Sequence, residues 1–188
     1  MVTKVRKQLR IAGLASIAAL WVGPLLAAPT TVENTTRTPA EWRTQKLEFT
    51  YMGFTAFYTC EGLESKVRYI LLTFGARKDA KVHAVGCDRA NNYPNKTAWV
   101  ETEFSSLAPA TDASKADAVP AEWGKVQLAA SRPHDMGMGE CELIDQMRPL
   151  LEKGFAMRNA DYHAFCVPKQ ISVGDYSVNA EILRPASN

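Results

Sequence analysis

Two stretches of the chain carry the same apolar spacing. Leu63, Val67, Ile70, Leu71 and Phe74 fall on one face of a helix, and Leu143, Met147, Leu150, Leu151 and Phe155 repeat that face. Strand-like alternation brackets each stretch. Ahead of the first, Leu47, Phe49 and Tyr51 alternate with Glu48 and Thr50. Phe54, Ala56 and Tyr58 then continue in the opposite phase after Gly53, the pattern of a bulged strand. Ahead of the second, Val126, Leu128 and Ala130 alternate with Lys125, Gln127 and Ala129. Short strands are expected after the helices at 81–86 and 161–165, and further strands at 98–104 and 176–183. Pro149 lies inside the second helix, where it removes an amide and predicts a kink or a restart.

These elements read as an internal repeat. Cys60-Glu61, Val67-Arg68, Arg77, His83-Ala84 and Cys87 recur as Cys141-Glu142, Met147-Arg148, Arg158, His163-Ala164 and Cys166, at an offset of 79 to 81 residues. The fold expected is α+β. A duplicated β-α-β-β unit forms a mainly antiparallel sheet carrying both helices on one face. The first repeat spans 46–104 and the second 122–188, sharing one core. Residues 28–45 read as an N-terminal arm. The Ala-, Ser-, Pro- and Asp-rich stretch 105–121 reads as a linker. The duplicated strand–helix–strand–strand order is similar, as architecture alone, to SOUL-like ligand-binding domains, a likeness that implies a small apolar ligand between the halves.

The N-terminus supplies an address. Lys4, Arg6, Lys7 and Arg10 precede an apolar run from Ile11 that closes on Ala27 and Ala28, the layout of a secretory signal peptide over residues 1–27. The competing reading is a retained membrane anchor, but the run is short for a span and is broken by Gly23-Pro24. The leader holds 4 of the 22 Lys+Arg and none of the 20 Asp+Glu, so removing it leaves 18 basic and 20 acidic residues, a net −2. No basic cluster remains to suit nucleic acid. The exported protein, periplasmic or secreted, is expected without stable membrane insertion.

All four cysteines lie in the exported part, where an even number reads as disulfides. A helix of about 15 residues advances roughly 22 Å, and a strand of seven residues returns roughly 23 Å. Each repeat therefore brings its second cysteine back to the level of its first, which predicts Cys60–Cys87 and Cys141–Cys166.

Candidate chemistry is sparse. Arg77, His83, Arg158 and His163 occupy equivalent positions and could form a pseudo-symmetric anion site between the halves; the plainer alternative is arginines capping helix ends and histidines on an open sheet face. His134, Met136 and Met138 form an H-x-M-x-M pattern whose imidazole and thioethers suit Cu(I), against which stands a flexible loop with methionine packing below it. On that reading Met136→Ala is nearly neutral for stability. Glu61 and Glu142 follow their cysteines at helix starts, where negative charge is favoured. Asn95-Lys96-Thr97 matches the glycosylation sequon. No serine-hydrolase, zinc-protease, phosphate-loop or dinucleotide motif occurs. The sequence thus points to an exported, disulfide-stabilised, non-catalytic binding protein of the cell envelope, with a small molecule or an envelope protein as partner and no cofactor. The alternatives are a periplasmic Cu(I) protein and an envelope enzyme using His83 or His163.

Overall fold

In the computed structural model the described residues are 37–87, 94–112, 117–130, 132–133, 136–170 and 176–187. The segment 1–27 read as a signal peptide, the first part of the segment read as an arm and His134 lie outside them. The element order is β1 (Thr38–Met52), α1 (Cys60–Thr73), β2 (Lys81–Val85), β3 (Thr97–Pro109), β4 (Val119–Ala129), α2 (Cys141–Gly154), β5 (Met157–Ala164) and β6 (Tyr176–Pro185). The strands form one antiparallel sheet in the order β2-β3-β1-β4-β6-β5. The sheet has six strands among the described residues. The segment 53–59 is a loop, and no separate strand follows the bulge assigned to Gly53. A side chain at Gly53 would lie 2.2 Å from the Ala56 carbonyl, so the chain turns there only because glycine has no Cβ.

The strands are longer than their apolar alternation suggested. Residues 38–45, read as arm, are the first half of β1, and 105–109, read as linker, are the end of β3. Ser105 and Ser106 are buried, and their hydroxyls are satisfied by the neighbouring strand and by the end of α2. Ser105 Oγ lies 2.9 Å from Thr44 Oγ1, and Ser106 donates to the Gly154 carbonyl at 2.6 Å. A polar composition therefore resembled a linker while forming a strand.

Both helices bury the predicted face. Leu63, Val67, Ile70, Leu71 and Phe74 are fully buried, and so are Leu143 and Met147, with Leu150, Leu151 and Phe155 nearly so. They join one core with Val100 and Phe104 of β3, Val126 and Leu128 of β4, and Val178, Ala180 and Ile182 of β6. Thr59 caps α1 by accepting the Gly62 amide at 3.1 Å. Gly75, at φ 87°, ends it, and the amides of Gly75 and Ala76 close back onto the Leu72 and Leu71 carbonyls. α2 runs through Pro149 without a break, because the proline sits on its exposed side. Among the described residues, no helix is long and apolar enough to cross a membrane.

The disulfides form as helix rise and return-strand length required. Cys60–Cys87 and Cys141–Cys166 have Cα separations of 5.1 and 5.6 Å, and each ties a helix start to the region beyond its return strand. In the chain-entropy account, closing loops of this size contributes roughly 3 kcal/mol each.

Phe155 stacks on Phe104 with ring centroids 5.2 Å apart and tilts against Phe74 at 5.6 Å. These rings occupy the ground where the two helix ends meet the sheet.

Candidate functional site

The start of α2 is a polar joint. Glu142 is buried, and its carboxylate accepts the amides of Phe54 and Thr55 at 2.8 and 2.9 Å and the Thr55 hydroxyl at 2.9 Å. It thereby fixes the loop after β1, whose backbone groups have no strand partner. Glu140, in the single 3₁₀ turn before α2, reaches Lys66 of α1 at 3.0 Å. Around them Tyr51 donates to the Ala56 carbonyl at 2.6 Å and Tyr176 to the Gly137 carbonyl at 2.8 Å. Burial, then the charge of the two glutamates, pushes the Tyr51 phenol well above its ordinary range. Burial and, next, Glu140 do the same to Tyr58. Glu61, the counterpart of Glu142 in the first half, is exposed and marks only the first turn of α1.

Phenols whose ionisation is resisted in the folded state stabilise it below their unfolded pKa, and this contribution is lost as pH rises through the folded value. Absorbance titration at 295 nm should therefore find Tyr51 and Tyr58 still protonated above the ordinary phenol range, until the protein unfolds. Ionisation of every tyrosine near pH 10 without unfolding would contradict the buried joint.

An open groove of ≈730 Å³ runs between α2 and the first three strands, lined among others by Leu47, Val82, Thr102 and Leu150. His83 sits on its edge, mostly exposed, with Nδ1 3.4 Å from Glu64 Oε1. The same carboxylate oxygen accepts the Ala84 amide at 2.8 Å, so Glu64 is held in place by β2. Lys46 and Lys81 both approach Glu103, at 3.3 and 4.0 Å. Glu48 and Glu101 stand directly opposite each other across β1 and β3. Like charges so placed repel, which leaves this wall able to receive a cationic group, while Lys153 adds positive charge from α2.

The four residues read as an anion site do not converge. His83 and His163 lie on the two edge strands, β2 and β5, five strand spacings apart, on the order of 24 Å along the sheet. Each arginine is closed locally. Arg77 forms a two-pronged pair with Asp79, 2.6 Å at its shortest, and lies 6.0 Å from the Trp42 ring centre. Arg158 pairs with Glu181 and lies 4.5 Å over Trp123. Sequence position is matched between the halves, but the sheet spreads the matched residues outward. The Arg77 guanidinium in turn holds the Asp79 carboxyl below its usual range.

The Cu(I) reading is only partly visible. His134 falls outside the described residues, as does the Met138 side chain, whereas Met136 is buried in the core. Truncating Met136 removes core packing, so the near-neutral effect expected of a loop residue does not apply. The sequon residue Asn95 uses its side chain at the start of β3, donating to the Gly86 carbonyl at 3.0 Å and accepting the Lys96 amide at 2.8 Å.

No known family, curated protein or solved structure matches the chain. The geometry alone carries the functional argument.

One feature escaped the sequence reading. Pro39-Ala40-Glu41-Trp42 recurs as Pro120-Ala121-Glu122-Trp123. Pro39 pairs with Pro120 where β1 meets β4, and the two tryptophans face Leu107 and Leu183 on their neighbouring strands. Ala40, Leu107, Ala121 and Leu183 form a second small core beside them. The identical tetrapeptide was the available signal.

Proposed function

We propose that the chain is an exported, non-catalytic binding protein of the cell envelope, cut from its leader after Ala27. The pair of disulfides carries this reading, because such bonds persist in oxidising compartments. The basic-then-apolar N-terminus agrees with it. The partner is a small molecule or an envelope protein, and the groove beside His83 is where a polar ligand with a cationic group would sit. We also read the fold as a duplicated unit. Supporting that are the repeated Pro-Ala-Glu-Trp segment, the shared element order of 38–109 and 119–185, and a strand order that reads alike from either edge.

A second reading, an enzyme using His83, has one observation in its favour. Glu64 supplies the carboxylate partner that an acid–base histidine needs. Among the described residues no hydroxyl or thiol nucleophile is recorded against that imidazole, so the binding reading stands ahead of it.

Expression of the full chain in a bacterial host, followed by fractionation and N-terminal sequencing, tests the export claim. The expected product is extracytoplasmic and begins at Ala28. A cytoplasmic product that keeps Met1 would overturn the claim.

A further inference from the structure

We propose that a second groove, between the C-terminal end of α1, Trp42 of β1 and the end of β6, binds a small organic anion whose charge is carried on an apolar or ring-bearing body. This deepens the binding-protein reading and rests on it. The groove measures ≈720 Å³, and its lining includes Trp42, Tyr69 and Leu72 as apolar surface and Arg77, Lys78 and Arg184 as cations. Among the described residues, no acidic residue lines it.

The cations are not equally committed. Arg77 is occupied by Asp79. Lys78 is exposed, and only its backbone carbonyl is engaged, by Arg68 at 2.6 Å; its ammonium has no acidic partner among the described residues. Arg184 makes one long contact, Nη2 to the Thr73 carbonyl at 3.3 Å, and its Nε is buried without an acceptor. The helix end contributes about half a negative charge, less than Lys78 and Arg184 together supply.

The site is also where the two halves differ. The Arg184 stem lies across Gly124, where a Cβ would come 3.1 Å from Cδ and 3.5 Å from Nε. With Trp42 and Trp123 aligned, and their partners Leu107 and Leu183 likewise, the counterparts of Gly124 and Arg184 are Arg43 and Ala108. The first half therefore has neither the gap nor the cation that fills it. A guanidinium and an ammonium beside flat apolar surface select a carboxylate, sulfonate or phosphate on a hydrophobic body.

The probe is 8-anilinonaphthalene-1-sulfonate, an anionic head on fused rings, titrated into the folded, oxidised protein. One saturable site is expected, emptied by decanoate and left occupied by the uncharged decyl maltoside. Lys78→Gln with Arg184→Gln should weaken the dye roughly tenfold or more, with an unchanged circular dichroism spectrum. If that double variant does not fold, Lys78→Glu must weaken binding while Lys78→Arg keeps it. Absence of saturable binding, equal displacement by the neutral detergent, or affinity indifferent to these substitutions would overturn the proposal. Dye binding lost instead on His83→Ala with Lys153→Gln would move the ligand to the groove beside α2, leaving the binding-protein reading intact and this site refuted.

Discussion

Phe155→Ala is expected to destabilise the protein by about 3–5 kcal/mol, the range for removing a buried phenyl ring. Phe155 is nearly buried, stacked on Phe104 and tilted against Phe74, so its loss removes contacts to β3 and to the end of α1 at once. The surrounding groups are themselves rings and strand backbone, which collapse poorly into the space left. Urea denaturation should show a lower midpoint with an unchanged slope, since the surface exposed on unfolding is the same. A loss within a few tenths of a kcal/mol would mean that the helix ends do not meet the sheet through these rings.

Glu142→Ala should be nearly as damaging, by roughly 3–5 kcal/mol, because it strands two backbone amides and takes from the Thr55 hydroxyl the nearer of its two acceptors. Removing a buried acceptor costs the desolvation of each donor left behind, which exceeds the modest net value of the hydrogen bonds themselves. Amide exchange should report the place as well as the size of the effect. Phe54 and Thr55 should lose protection first, with the α1 amides little changed. Glu61→Ala, at the matched but exposed position, should change stability by only about 0.5 kcal/mol or less. Equal effects at the two sites would contradict the joint described for α2.

That contrast shows which parts of the molecule could be read from its residues. Helical faces such as Leu63–Phe74 are legible because burial imposes a 3.6-residue period on the chain itself. The disulfide pairing is legible because helix rise and strand length together fix where each cysteine returns. Glu142 looked like an ordinary helix-start carboxylate, since its partners lie 87 and 88 residues away and leave no local mark. Ser105 and Ser106 looked like linker for the same reason: their hydroxyls are satisfied by Thr44 and by the end of α2, across the fold.

The candidate sites divide along similar lines. Matched positions of Arg77 and Arg158 suggested a shared anion site, but strand order decides distance, and strand order is a long-range property. Each arginine instead found a carboxylate and a tryptophan nearby. The His83–Glu64 contact joins β2 to α1 across 19 positions of chain, and Lys78 and Arg184 line one groove from distant parts of the sequence. Neither pairing has a periodicity or a spacing that sequence could display.

The disulfide map of the protein tests the account most directly, because the proposed compartment, the helix-and-return-strand geometry and the fold all pass through it. Non-reducing peptide mass spectrometry should recover Cys60 linked to Cys87 and Cys141 linked to Cys166, with no thiol open to alkylation before reduction. A crossed pair such as Cys60–Cys166, or four alkylatable thiols in the native protein, would contradict it.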